Sequence, residues 1–239
     1  MTRNQPGDIL GESVPNWSPP VRPDGAVLTG RYVVLEPLSA DAHAPDLFAA
    51  YVGQDHVWDY MPYGPFADFD AYVAWVQEVS RQDDPFFYAI RNLETGRCEG
   101  VASYLRISPD AGSIEVGHIN FGPALQKTRA ATEAMYLMMA WAFEAGYRRY
   151  EWKCNARNRG SRQAAERLGL SYEGVFRQAA VIKGYNRDTA WFAAIDSEWP
   201  ALRTAFEAWL SPGNFDGFVQ KQSLSALTTP VRVASDPIL

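Results

Sequence analysis

The sequence predicts an α+β fold in which a mixed, mostly antiparallel sheet is flanked by helices. The hydrophobic period carries this prediction. Between residues 86 and 121, three runs with the period of strands are separated by short turns, which is typical of antiparallel hairpins. A helix, a strand, a shorter helix and two further strands follow. A single domain with both faces of the sheet covered agrees with this order.

The first half begins with a strand, RYVVLEPL, at 31–38. Ser39 or Asp41 then caps a predicted helix that runs to about Val52. A second helix is predicted over 71–82. The connection at 56–70 is rich in aromatic residues and proline, which makes it unusually apolar for a loop.

The second half starts after Gly122-Pro123, where the pattern turns helical. Gly146 stands where the C′ glycine of that helix is expected. The remaining predicted elements are a strand at 147–155, a short helix at 161–169, strands at 172–178 and 189–196, and a helix at 199–210.

Three segments describe the domain organisation. Residues 1–26 are rich in Pro, Gly and Asp without any period, so we expect an extended Pro-rich arm. Residues 27–210 are expected to form the domain. Residues 211–239 show little periodicity and are expected to be ordered by docking on the domain or on a partner. The arm and the tail would offer contacts for a homodimer.

Composition and charge exclude several classes of protein. The net charge is −6, and no run of Lys or Arg exceeds the pair Arg148-Arg149, so nucleic acid is not an expected partner. The first residues lack the apolar core of a signal peptide, and no segment approaches about 18 uncharged apolar residues. A cytoplasmic protein without a membrane partner is therefore expected. Cys98 and Cys154 lie in apolar strand-like runs, which predicts buried side chains and no metal site.

The junction GHINFGPALQKTRAATEAMYLMM, at 117–139, joins a strand to a long helix. A helix N-terminus presents unpaired N–H groups and a partial positive charge, which suit a pyrophosphate. Small residues at Ala130 and Ala131 would let a ligand approach the backbone. Every helix has such an end, so this feature is not specific by itself. A nucleotide site of the P-loop type is disfavoured, because the Lys-Ser/Thr ending of that loop is missing.

The run Gln126-Lys127-Thr128-Arg129-Ala130-Ala131 resembles the acyl-CoA pyrophosphate loop of GNAT acetyltransferases, Q/R-x-x-G-x-G/A. Asn158-x-x-Ser161 followed by AAERLGLSYEG is similar to the RimJ/RimL-like branch, which includes ribosomal-protein N-terminal acetyltransferases. The resemblance covers about residues 28–196. It implies the GNAT fold, acetyl-CoA as acyl donor and a primary amine as acceptor. One departure is Arg129, which stands where the loop has glycine; a helical backbone would tolerate this side chain.

The resemblance also implies which residues hold the cofactor. The backbone of one strand end would pair with the pantetheine arm, loop amides would bind the pyrophosphate, and the start of the short helix would contribute further contacts. The residues concerned are Ile119, Asn120, Phe121, Gln126, Lys127, Thr128, Arg129, Ala130, Ala131, Asn158 and Ser161.

Three residues are candidates for catalysis. Acyl transfer needs a neutral amine, stabilised negative charge on the acyl oxygen and a protonated thiolate. Glu115 matches the position of a base glutamate in several GNAT enzymes, and Ser161 matches a serine assigned to protonating the thiolate. His118 is a further candidate base, expected on the opposite face from Glu115 because their separation is odd. Structural alternatives stay open: a satisfied carboxylate for Glu115, an ordinary strand histidine for His118, and helix capping by Asn158 and Ser161.

The acceptor site is expected between two segments. Trp58, Tyr60 and Tyr63 in the aromatic loop would form one wall, and Tyr185 within 184–188 would form the other. The same aromatics could instead close the core. Ala180 stands where the ribosomal-protein enzymes resembled here have a proposed base glutamate, so their mechanism is not carried over. An α-amine, which costs about 1 kcal/mol to neutralise at pH 7 against about 4–5 for a lysine-like amine, is favoured. The alternative function is a non-catalytic acyl-CoA-binding module.

Overall fold

The computed structural model describes residues 11–217 and 219–239. Within these residues eight strands form one mixed sheet in the order β1-β2-β3-β4-β5-β6-β8-β7, and all neighbours are antiparallel except β5 and β6. The strands are β1 (Leu28–Thr29), β2 (Val33–Pro37), β3 (Phe86–Asn92), β4 (Cys98–Ser108), β5 (Ser113–Phe121), β6 (Arg149–Asn155), β7 (Ser171–Ile182) and β8 (Tyr185–Ile195). A small hairpin, β9 (Phe215–Asp216) with β10 (Val219–Gln220), lies outside it.

Helices cover both faces of the sheet, as the sequence predicts. They are α1 (Ala40–Tyr51), α2 (Phe69–Val79), α3 (Arg129–Glu144), α4 (Arg159–Arg167), α5 (Trp199–Leu210) and α6 (Leu224–Thr228). Helices α3 and α5 pack on one face, which we call the α3 face, against Tyr88, Ile114 and Trp152. Helices α1 and α2 pack on the other, the α1 face, against Phe87 and Val101. Within the described residues, no helix combines the length and hydropathy needed to cross a membrane.

The parallel pair β5–β6 is short. Ser113–Val116 pairs with Arg149–Trp152, and no pairing between the two strands continues beyond these residues in the described chain. The later part of β5 stays paired with β4 through Phe121, while β6 stays paired with β8 through Asn155. The two strands therefore separate and leave an opening in the middle of the sheet.

The central helix α3 has the ends that its sequence predicts. Thr128 is its N-cap, and the Thr128 hydroxyl accepts the N–H of Ala131 at 3.0 Å. At the other end Gly146 has a φ of 98°, and the N–H of Tyr147 bonds the carbonyl of Ala142. This is the C′ glycine arrangement, in which a left-handed residue satisfies the last carbonyls of a helix.

The last two strands differ from the sequence prediction. Residues 184–188 were expected to form a loop, but β7 and β8 extend into one long hairpin joined by Lys183-Gly184. Both turn residues have positive φ, 50° and 80°, which is the two-residue turn whose twist matches the strands. The Lys-Gly pair was the signal for this turn.

The chain segments on either side of the domain contact it. Residues 1–10 of the predicted arm lie outside the described residues; after them, Arg22 bonds the carbonyl of Ile107, and Tyr147 bonds the carbonyl of Val21. Near the C-terminus, the Asp236 carboxylate binds Arg162 through both oxygens at 2.5 Å, and both side chains are buried. This ion pair ties the last residues to α4.

The aromatic loop between α1 and α2 closes the core on the α1 face. Trp58 is 3% exposed and packs edge-on against Tyr51 and Phe66. Gly64 passes directly over the indole: it has a φ of 64°, and a Cβ there would lie 2.7 Å from the Trp58 ring. The loop is apolar because it forms part of the core.

Replacing Gly64 by alanine tests this packing. Gly53 is a matched control, because it has a φ of 70° and no atom within 4 Å of an added Cβ. Alanine in the left-handed region costs about 1–2 kcal/mol at either position. G64A also overpacks against Trp58, so we expect it to lower the free energy of unfolding by about 1–3 kcal/mol more than G53A. Urea denaturation measures both, and equal losses would contradict the predicted contact.

Candidate active site

A groove of about 1460 Å³ follows the opening between β5 and β6 and the N-terminal ends of α3 and α4. All of the residues that the sequence assigned to cofactor binding line this groove. They are Ile119, Asn120, Phe121, Gln126, Lys127, Thr128, Arg129, Ala130, Ala131, Asn158 and Ser161. The lining also includes Val57 on the α1 face, so the groove reaches both sides of the sheet.

The start of α3 offers fewer free amides than the sequence suggests. Carbonyls of the preceding turn accept the N–H groups of Gln126 and Thr128, and the Thr128 hydroxyl accepts that of Ala131. Within the described residues, no acceptor is present for the N–H groups of Lys127, Arg129 and Ala130. Three of the six N–H groups of residues 126–131 are therefore free to bind a diphosphate.

Arg129 occupies the expected glycine position without backbone strain, because it is the first residue of α3. Its guanidinium carbon lies 5.0 Å from the ring centre of Tyr32 and 4.6 Å from that of Phe215. The side chains of Arg31, Lys127 and Arg167 also line the groove. Four cationic side chains beside three free amides fit an anionic ligand such as a pyrophosphate, although the chain as a whole is acidic.

A buried carboxylate holds one rim of the groove. Glu133 of α3 is 5% exposed and accepts the backbone N–H groups of Arg31, Tyr32 and Val33 at 2.9, 2.5 and 3.0 Å. These bonds place Arg31 and Tyr32 at the groove. Sequence reasoning missed this anchor, whose signal is an acidic residue on the apolar side of a helix.

At the end of β5 that separates from β6, two backbone carbonyls already accept hydrogen bonds from side chains. Tyr51 donates to the carbonyl of Asn120 at 2.8 Å, and the side chain of Gln126 donates to that of Phe121 at 2.9 Å. The Nδ2 of Asn120 is buried and has no hydrogen-bond partner in the described chain. The predicted pairing of this strand end with a ligand therefore competes with side chains at two of its three residues.

Ser161 and Asn158 meet at the start of α4. Asn158 is the N-cap, and its side chain accepts the N–H of Ser161 at 3.0 Å, which confirms the capping interpretation. The Ser161 hydroxyl oxygen accepts the indole N–H of Trp152 at 3.0 Å. That bond leaves the hydroxyl proton available for a second partner, and the neighbouring Cys154 thiol is one, since its hydrogen bond with Ser161 opposes the rise of the thiol pKa.

His118 lies on the same face as Glu115, which corrects the sequence prediction. A β-bulge places two residues, His118 and Ile119, opposite Ala102 of β4. His118 has a φ of 49°, and its ring lies 5.2 Å from that of Phe87 on the α1 face. An extra residue reverses the alternation of side chains, so an odd separation no longer means opposite faces.

Glu115 is fully engaged in ion pairs. It is 2% exposed, and its carboxylate binds Arg106 at 2.7 Å and Lys153 at 2.9 Å. Burial raises the pKa of Glu115, while the Arg106 and Lys153 charges oppose that shift. Lys153 also binds Glu151 at 2.7 Å. The structure thus agrees with the satisfied strand carboxylate that the sequence left open.

The chain matches the model of the GNAT acetyltransferase domain over residues 33–171. A GCN5-related N-acetyltransferase from Brucella melitensis is 44% identical, with a TM-score of 0.88 over 90% of this chain and 100% of that one. A probable GNAT-family acetyltransferase from Chromobacterium violaceum is 39% identical, with a TM-score of 0.76 over 84% and 98%. No curated protein matches the chain.

The chain belongs to the GNAT acetyltransferase family. The predicted GNAT fold is confirmed, and the protein is an N-acetyltransferase that uses acetyl-CoA as its acyl donor, as its family does. More distant structures show the fold alone. The ribosomal L7/L12 α-N-protein acetyltransferase RimL is 19% identical, with a TM-score of 0.62 over 71% of this chain and 94% of that one.

His118 contacts one of the aromatic residues that the sequence assigned to the acceptor site. The Tyr63 hydroxyl lies 3.0 Å from Nδ1 of His118, and the two rings stack at 5.6 Å. Burial lowers the pKa of His118 to about 4, with the nearby charges of Arg106 and Arg187 adding to the shift. The imidazole is therefore neutral at physiological pH.

The four residues proposed as acceptor walls lie in different environments. Trp58 is a core residue, so it supports Tyr63 rather than facing a ligand. Tyr60 is exposed, and its hydroxyl bonds the carbonyl of Arg157 at 3.3 Å. Tyr185 is 79% exposed on the β7–β8 hairpin, on a strand rather than in the predicted loop. The structure brings only Tyr63 into contact with His118.

The two cysteines are buried thiols, and Cys154 is a hydrogen-bond partner of Ser161. Both are free and buried, as predicted, and burial raises the pKa of Cys98 to about 12 and that of Cys154 to about 11. Three side-chain atoms that could bind a metal ion, one each from Cys98, Glu36 and His43, lie within 4.8 Å of one another. Nδ1 of His43 accepts the N–H of Ser39, so the ring proton of neutral His43 is on Nε2, 3.5 Å from Glu36. Hydrogen bonding within the protein accounts for this cluster.

The lowered pKa of His118 predicts a dependence of stability on pH. The unfolded chain binds the proton below a pKa near 6.5, whereas folded His118 binds it only near 4. Protonation therefore favours the unfolded state, and stability falls as the pH decreases through this window. We expect the His118 contribution to the free energy of unfolding to fall by about 2 kcal/mol between pH 7 and pH 5.

Urea denaturation of the wild type and of His118→Gln at both pH values measures this contribution. His43, whose pKa burial also lowers, and the carboxylates titrate in both proteins, so the difference between the two pH effects isolates His118. If H118Q loses as much stability as the wild type between pH 7 and pH 5, the neutral buried imidazole is refuted.

Proposed function

We propose that this GNAT acetyltransferase moves the acetyl group directly to a primary amine in a ternary complex, without a covalent enzyme intermediate. The observation that supports this most strongly is the groove through the sheet. It reaches from the free amides of α3 to Val57 on the α1 face, the face on which His118 lies. A donor and an amine could thus approach one opening from opposite sides.

The donor side is supported by charge and by hydrogen-bond donors. Acetyl-CoA supplies an activated acyl group as a thioester. The free N–H groups of Lys127, Arg129 and Ala130 would bind its diphosphate, together with the side chains of Arg129 and Arg167 that line the groove. Phe215 would hold the Arg129 guanidinium in place from the other side.

Ser161 would donate a proton to the departing sulfur. The hydroxyl lines the groove, and the indole N–H of Trp152 occupies its oxygen as an acceptor. The hydroxyl proton is not used in this bond, so it would be available to the departing sulfur in place of Cys154. Asn158 caps the same end of the helix through the backbone N–H of Ser161 and would take no part in the proton transfer.

His118 is a better candidate than Glu115 to accept the amine proton. Both oxygens of Glu115 are bound to Arg106, and one also binds Lys153. His118 is neutral, and its Nε2 has no hydrogen-bond partner within the described residues. That nitrogen accepts a proton when Nδ1–H donates to the Tyr63 hydroxyl. The amine nitrogen becomes more acidic as its bond to the acyl carbon forms, so the proton would pass to this weak base as that bond forms.

The acceptor we favour is an α-amine, of a peptide N-terminus as in the RimJ/RimL-like branch or of a small molecule. Neutralising it at pH 7 costs about 1 kcal/mol, against about 4–5 kcal/mol for a lysine-like amine. The site offers only a weak base, which supports the acceptor with the smaller cost. Ala180 leaves this chain without the glutamate proposed as base in the ribosomal-protein enzymes.

An incorporation assay tests the proposal. Labelled acetyl-CoA is incubated with a panel of peptides, amino acids and polyamines, and both acetylated product and released thiol are measured. We expect equal amounts of product and thiol, faster transfer to α-amines than to lysine side chains, and no acetylated enzyme after rapid quenching. A labelled enzyme that forms in a burst, or silence across the whole panel, would contradict direct transfer.

Removing the Ser161 hydroxyl tests its role. We expect Ser161→Ala to lower kcat by about 10²-fold, in the range of general acid catalysis, while the affinity for acetyl-CoA changes little. Asn158→Ala is the matched control: losing the cap costs about 1 kcal/mol of stability but leaves the hydroxyl in place. A S161A enzyme with wild-type kcat, or one whose loss N158A reproduces, would show that Ser161 serves only the helix end.

A further inference from the structure

Strand β8 carries two buried nitrogen donors that have no hydrogen-bond acceptor within the described residues. They are Nε of Arg187 and Nε1 of Trp191. Four positions separate the two residues, so their side chains point to the same face of the strand. The Trp191 ring lies 3.7 Å from Nζ of Lys153, which in turn binds Glu115. Both donors therefore lie on the α1 face, the proposed acceptor side.

Arg187 stands beside the opening in the sheet. Asn155, the last residue of β6, pairs with Thr189, and the N–H of Ala156 bonds the carbonyl of Asp188. At this level β5 no longer pairs with β6, because that pairing ends at Trp152. Arg187 is close enough to His118 for its charge to help lower the pKa of the imidazole. The guanidinium is thus on the same face of the sheet as His118, on the other side of the opening.

Among the described residues of the α1 face, the positive charge of Arg187 is not balanced by a carboxylate. Ion pairs join Arg106 and Lys153 to Glu115, Lys153 and Arg149 to Glu151, and Arg149 to Glu173. Arg187 has no ion pair among the described residues.

The neighbouring Asp188 does not supply one, since its carboxylate accepts from Gln178 and Asn186. An unpaired cation remains at the proposed acceptor site of a chain whose net charge is −6.

A half-buried guanidinium that has an N–H group without an acceptor lowers the stability of the folded protein unless an anion binds it. A carboxylate or a phosphate supplies the acceptor oxygens that a guanidinium takes in a bidentate manner. A cationic acceptor, which the overall negative charge would attract at long range, meets repulsion here. At the site, the charge of Arg187 outweighs the net charge of the chain, because it acts over a short distance and is partly shielded from water.

We propose that Arg187 forms an anion subsite, and that the amine acetylated by this enzyme carries a carboxylate or a phosphate near its nitrogen. This inference rests on the proposed function and names its substrate class. Arg187 is the specificity-determining residue, since it contacts the anionic group and takes no part in moving protons.

Pairs of amines that differ only in the anionic group test the subsite. Phenylalanine is compared with phenylalanine amide, and O-phosphoethanolamine with ethanolamine, by kcat/KM at saturating acetyl-CoA. We expect the wild type to prefer at least one anionic member by about tenfold or more, and Arg187→Met to reduce that preference by about tenfold, the effect of one charged hydrogen bond. The pair that responds distinguishes a carboxylate from a phosphate.

Two further variants complete the design. Arg187→Lys keeps the charge without the bidentate geometry and should recover part of the preference. Arg177→Met removes one positive charge from the exposed part of the same hairpin and should leave the preference unchanged. Equal loss for both members of a pair in R187M, or the same loss of preference in R177M, would overturn the subsite.

A binding measurement separates this inference from the proposed function. Titration calorimetry with coenzyme A present gives the affinity for each amine without requiring turnover. Tighter binding of an anionic member to the wild type than to R187M supports the subsite even if no acetyl group is transferred, in which case the proposed function fails alone. Equal affinities within each pair, or no measurable binding of any anionic member, overturn the inference while leaving transfer to other amines open.

Discussion

The early end of the β5–β6 pairing is the constraint on which the rest of the structure depends. Four residue pairs hold the strands together, and after Val116 and Trp152 each strand follows its other neighbour. The bulge at His118 adds one residue to β5 and increases the local twist, which turns this strand away from β6. An unbroken sheet would separate a ligand on one face from a ligand on the other. In the proposed ternary complex, the donor and the amine would meet through the opening.

The two faces beside the opening differ in electrostatic character. On the α3 side, helix N–H groups and flexible cationic side chains line a wide groove, and this suits a long polyanionic donor. On the α1 side, ion pairs between strands hold the charges in fixed positions, and the imidazole of His118 is kept neutral by burial. The first arrangement suits binding; the second suits a reaction in which one proton must leave an amine.

Distant parts of the chain support the site from outside the segment matched by the family model. Phe215 packs on the Arg129 guanidinium, and Asp236 binds Arg162 in the helix that begins next to Ser161. Both contacts come from residues after 210, where the sequence has no period to interpret. They lie near the ends of the groove, so the C-terminal residues take part in shaping it. Their role follows from position in space rather than from any local pattern.

Sequence alone determined the elements and the donor side of the site. Period and capping residues specify the order of strands and helices, Thr128 and Gly146 as the ends of α3, and the residues that line the groove, because these depend on neighbours close in the chain. Tertiary structure decided the surroundings of His118, Glu115 and Arg187. The face on which His118 lies depends on a bulge, the state of Glu115 depends on Arg106 and Lys153 from other strands, and the excess charge of Arg187 depends on which acids are already paired. These features depend on contacts between strands that are distant in the sequence, so no local sequence pattern predicts them.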